Sequence, residues 1–107
     1  MPGEEERMIE KLVEEIENLK SGLDPQVLSG WYSKIENEAK AAAPKELTDK
    51  IEVIQDPILP MKFEFKVSRR AVKYVIDAIE RNLSSMPLAT RLYFQKLEEL
   101  ILIEAHK

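Results

Sequence analysis

Apolar and polar positions alternate along this chain with two different periods, and the change of period sets its organisation. From Ile9 onward the apolar residues Ile9, Leu12, Ile16, Leu19 and Leu23 recur at spacings of three and four, which places them on one side of a helix. Val13 widens that seam into a face suited to a globular bundle, since two heptads are too few for a free-standing coiled coil. Glutamates crowd the first turn, where the helix dipole favours them, and Gly22 is expected as a left-handed cap with Leu23 folded back over the last turn. Asp24 followed by Pro25 predicts a restart, an N-cap oxygen and then a proline whose missing N–H costs nothing. Val27, Leu28, Trp31, Tyr32, Ile35, Ala39 and Ala42 mark the face of this second helix. Pro44 ends it or restarts it as a short turn through Leu47 and Thr48. The connection between the two helices is so short that they are expected to pack antiparallel.

After residue 50 the period drops to two. Ile51 and Val53 alternate with Glu52, and Phe63, Phe65 and Val67 alternate with Glu64 and Lys66, the signature of strands with their apolar residues pointing inward. Between them DPILPM, with two prolines, suits a wide connection. The segment reads as a β-hairpin or as an extended crossover. Helical spacing then returns. Ser68 is expected to cap a third helix with Val72, Val75, Ile76, Ile79 and Leu83 inside, SSMP breaks it, and Pro87 opens a fourth. Candidates for the inner face of that last helix are Leu88, Leu92, Tyr93, Phe94, Leu97, Leu100 and Ile101. The expected fold is mainly α, with α+β as the variant: a four-helix arrangement of two helical hairpins joined by a β-hairpin or extended crossover.

Composition narrows the function classes. A chain of 107 residues with 44% hydrophobic and 34% charged residues reads as one globular domain, residues 1–107, with a heavily charged surface. It has no cysteine, which excludes thiolate catalysis, disulfides and cysteine-bound metal. No apolar run approaches the ~20 residues of a membrane span, and the opening MPGEEER is too acidic for a secretion signal. A cytoplasmic location is expected. Three glycines, at positions 3, 22 and 30, cannot build a phosphate-cradling loop. The only histidine, His106, is penultimate, a poor place from which to run a hydrolytic triad. Glu10, Glu14 and Glu17, and the pair Asp77 and Glu80, have spacings that a magnesium site uses, but they fall largely off the apolar seams, where ordinary surface residues belong. No catalytic residue, metal or cofactor is predicted.

Two features remain as candidates. The net charge is −4, yet residues 62–73 hold Lys62, Lys66, Arg69, Arg70 and Lys73 against Glu64 alone. Cations at the start of a helix sit against its dipole, a conflict that a bound phosphate would relieve, although an ordinary solvated face is the simpler account. The other feature is Leu100, Ile101, Leu102 and Ile103 in succession, which cover every side of a helical turn and exceed what one face can bury. Gly30 beside Trp31 and Tyr32 adds an aromatic surface or a piece of core. The leading expectation is a small non-enzymatic cytosolic interaction module. It self-associates as a homodimer or docks on a larger, unidentified protein through Leu102, Ile103, Tyr93 and Trp31. The alternative is a phosphate-ligand or nucleic-acid binder using Lys62, Lys66, Arg69, Arg70 and Lys73.

Overall fold

The computed structural model describes residues 3–55 and 63–105, with only the backbone described at 53–55 and 63–66. Four helices carry the fold: α1 (Glu4–Ser21), α2 (Pro25–Ala42), α3 (Val72–Leu83) and α4 (Leu88–Ala105). Between α2 and α3 lie a 3-10 turn (Lys45–Lys50), strands β1 (Ile51–Gln55) and β2 (Phe63–Val67), and a second 3-10 turn (Arg69–Ala71). The fold is mainly α, as the hydrophobic spacing predicts.

Local chemistry sets most of the boundaries. Asp24 caps α2, its Oδ1 accepting the Gln26 N–H at 2.9 Å, with Pro25 in the first turn. Gly22 ends α1 with φ −93° and ψ 2°, so the expected left-handed cap does not form. Its N–H donates to the Leu19 carbonyl and that of Leu23 to the Lys20 carbonyl, a right-handed closing turn that any residue can adopt. Ser68 makes no side-chain cap; its carbonyl accepts from the Ala71 N–H at 2.9 Å, and a 3-10 turn leads into α3.

The strands pair antiparallel, Ile51 opposite Val67, Val53 opposite Phe65 and Gln55 opposite Phe63. The Ser68 N–H donates to the Lys50 carbonyl at 3.1 Å, one step beyond the ladder. The DPILPM connection and the inward placement of Phe63 and Phe65 lie outside the described residues. A two-stranded ribbon is marginal alone; here β1 packs on α2, with Ile51 buried and Val67 half-buried against the core.

The helices choose partners other than their neighbours in sequence. α1 lies chiefly on α4 and α2 on α3, while α3 and α4 pack on each other. The short α1–α2 connection therefore joins two helices whose main partners lie elsewhere. The core gathers Leu12 and Ile16 from α1, Leu28, Tyr32, Ile35 and Ala39 from α2, Val75 and Ile79 from α3, and Tyr93 and Phe94 from α4. At its centre the hydroxyls of Tyr32 and Tyr93 share a hydrogen bond of 2.5 Å. Phe94 stands 5.3 Å from the Tyr32 ring and 5.1 Å from the Tyr93 ring, centroid to centroid, tilted arrangements that suit ring quadrupoles.

Candidate functional site

The predicted contact residues separate once the helices are packed. Tyr93 is 1% exposed and bonded to Tyr32, so the expectation that it faces a partner is corrected: it is core. Burial pushes its hydroxyl up to about 12, and burial likewise raises Tyr32, both acting as neutral hydrogen-bonding groups. Trp31 is half-buried on α2 against the core, and the Lys34 ammonium lies 5.4 Å from its ring centroid. A Cβ at Gly30 would meet nothing within 4 Å, so no close neighbour requires glycine there. Val27, expected on the inner face of α2, is exposed.

The aliphatic run is divided among three surfaces. Leu100, Ile101 and Ile103 pack against the core and only Leu102 is exposed. Ile103 lines a shallow groove toward α1 with Met8, Lys11, Leu12, Glu15 and Glu99. Leu102 lines a larger groove on the α3 side, about 400 Å³, with Val72, Ile76, Ala105, Arg69, Lys73 and Asp77. Two separate sequence candidates meet at that groove, the aliphatic end of α4 and part of the basic segment. Arg70 is exposed nearby in the sequence, whereas Lys62 and the side chain of Lys66 lie outside the described residues, as does His106.

Part of the exposed apolar surface lies where the hydrophobic spacing predicts core. Leu88 and Leu92 were expected inside, yet they are 66% and 43% exposed, and Leu102 is 40% exposed. With the exposed Gln95 and Glu99 they form one line along α4, Leu88–Leu92–Gln95–Glu99–Leu102, at spacings of four, three, four and three. This is the seam spacing of helices that pack on another helix. The reason is a surplus: Thr90, Tyr93 and Phe94 are buried and Leu97 and Ile101 pack on the core, which fills the inner face. α1 takes one flank, where Lys96 Nζ pairs with Glu15 at 3.3 Å, and α3 takes the other. The third side has no helix of this chain against it among the described residues. Its period is written in the sequence, but the inner face has the same period and the two overlap there.

Charge is graded along α4. Arg91 lies toward the N-terminal end, its Nε donating to the Leu83 carbonyl at 2.9 Å and Nη2 to that of Met86 at 3.1 Å, which closes the end of α3. Glu98 and Glu99 lie toward the C-terminal end. Glu98 Oε1 is buried with no hydrogen-bond partner among the described residues. Burial, and then the Glu80 carboxyl beside it and the charge of Glu99, raise the Glu98 carboxyl to about 7.

Among the described residues no group of three or more histidine or carboxylate side chains is placed to hold a metal ion, and no helix is long and apolar enough to cross a membrane. Glu10, Glu14, Glu17, Asp77 and Glu80 are all exposed. Comparison of the chain with protein-family models, with curated proteins and with solved structures found no match.

Proposed function

We propose that this protein is a small non-enzymatic interaction module of the cytosol, and that its docking surface is the outer face of α4. The observation that carries this reading is the exposed line Leu88–Leu92–Gln95–Glu99–Leu102 at seam spacing, with leucine at three of its five positions. Soluble proteins scatter single exposed leucines but tend to cover a helix face that aligns several of them. An occupant that buries the row removes apolar surface from water at about 25 cal/mol per Å², and it meets a rigid helix that loses little entropy on binding. The test is native mass spectrometry of the gently purified protein beside the double variant Leu92→Glu, Leu102→Glu. The wild type is expected to carry another chain, its own or a foreign one, and the variant to lose it. Identical masses for the two proteins would sink the reading.

A second reading draws support from Arg69 and Lys73, which stand at the edge of the groove beside Leu102. In it the segment 62–73 holds a phosphate-bearing ligand or a nucleic acid. That binding would weaken steeply with added salt and vanish on charge reversal at Arg69 and Arg70. Absence of binding at low salt removes it.

A further inference from the structure

We propose that the occupant of the α4 face is α4 of a second copy, packed antiparallel about a two-fold axis near Gln95. This rests on the docking reading above and names its partner. The two ends of the face match under that axis: Leu88 and Leu102 each stand seven residues from Gln95, on its two sides, while Leu92 falls opposite Glu98 of the mate. An isologous dimer needs this property, because one patch must complement itself.

Charge selects the direction. Arg91 lies on one side of Gln95 and Glu99 on the other, four residues from it each way; Lys96, beyond Gln95 on the α1 flank, is taken up by Glu15. An antiparallel pair about Gln95 sets Arg91 of each helix against Glu99 of its mate. A parallel pair would set Glu99 beside Glu99 and Arg91 beside Arg91, and like charges at an interface disfavour a pairing. Glu99 makes no ion pair within the chain among the described residues, and Arg91 meets carbonyls there rather than a carboxylate. Both charges therefore remain to be matched. Gln95, at the axis, meets its own counterpart and can both donate to and accept from it.

Size sets the strength. From Leu88 to Leu102 the stripe spans about 21 Å at 1.5 Å per residue, so one helix pair buries less than the ~1,200 Å² of a standard interface. The dimer is an exchanging one, populated at high protein concentration. Glutamate at Leu92 and Leu102 should weaken it by at least about thirty-fold, the scale of losing a central apolar anchor.

The chain has no cysteine, so single cysteines report the direction without interference. Leu88→Cys and Leu102→Cys are prepared separately, mixed at high concentration and oxidised. Antiparallel packing yields a disulfide between one variant and the other, while neither variant alone links to itself, its two cysteines being about 21 Å apart. Self-linking of each variant alone would overturn the antiparallel arrangement. No link, together with a monomeric mass of the wild type by analytical ultracentrifugation, would overturn the second copy as occupant. The docking reading would then still stand or fall separately, on whether the wild type and the double glutamate variant differ in the foreign chains they carry.

Discussion

Helices α3 and α4 form one antiparallel hairpin, yet they meet water differently. The outward positions of α3 are Lys73, Asp77, Glu80 and Arg81, while its apolar residues Val72, Val75, Ile76 and Ile79 are buried. Helix α4 buries Tyr93 and Phe94 on one side and exposes Leu88, Leu92 and Leu102 on the other. The two helices share a chain, a core and a turn, so the difference is not a general greasiness of the surface. An amphipathic helix such as α3 needs only the core it faces. Helix α4 has apolar residues on two faces, and among the described residues the chain packs against one of them.

The sharpest way to break the comparison is to strike the two faces of α4 in turn. Phe94→Ala opens the core between Tyr32 and Tyr93 and should cost about 3–5 kcal/mol. Leu92→Ala, measured on dilute protein, should change stability by no more than about 0.5 kcal/mol. Urea denaturation reads both, and equal losses would mean that Leu92 is a core residue after all. Tyr32→Phe comes next. It strands the buried Tyr93 hydroxyl at a cost of about 1–3 kcal/mol, whereas the double Phe variant should lose less than the sum of its parts. Strict additivity would deny the hydrogen bond any role.

Arg91→Met probes the turn that holds the two helices together. It leaves the Leu83 and Met86 carbonyls without their charged donor and should cost about 1–2 kcal/mol, visible as faster amide exchange at the end of α3. Unchanged exchange would show that water replaces the guanidinium fully. The smallest effect belongs to Glu98 on the α3–α4 seam. Its folded-state value of about 7 lies above the ordinary carboxyl value, so the folded chain keeps this proton longer than the unfolded chain. Its contribution is fully present below the usual carboxyl range and is lost as pH rises through about 7. Glu98→Gln should therefore raise the melting temperature at pH about 8 and leave it nearly unchanged at pH about 4. A variant that melts lower at pH about 8 would mean the carboxylate has a cation partner.

Much of the architecture was legible because it is local. Asp24–Pro25, the alternation at Ile51–Val53 and Phe63–Val67, and the seams of α1 and α3 each depend on residues a few positions apart. The Gly22 cap and the Ser68 cap were misread because a helix end has several ways to satisfy its backbone groups, and sequence names the residue but not the choice. The candidate site was legible only at Leu102. Tyr93, expected both on the inner face and at a contact surface, is core, while Leu88 and Leu92 moved from core to surface, all within one helix.

That exchange marks the division between the two sources. By itself the sequence determined four helices, two strand-period segments between the helical pairs, an acidic chain with one basic segment, and a last helix with more apolar residues than one face can hold. It did not determine which of those residues lie inside, because spacings of three and four recur all round α4. Only the tertiary structure decided that, by seating α1 against one flank of α4 and α3 against the other. Two neighbours close two flanks of a helix, the core closes the side between them, and the remaining side, with Leu88, Leu92 and Leu102, has no helix against it among the described residues.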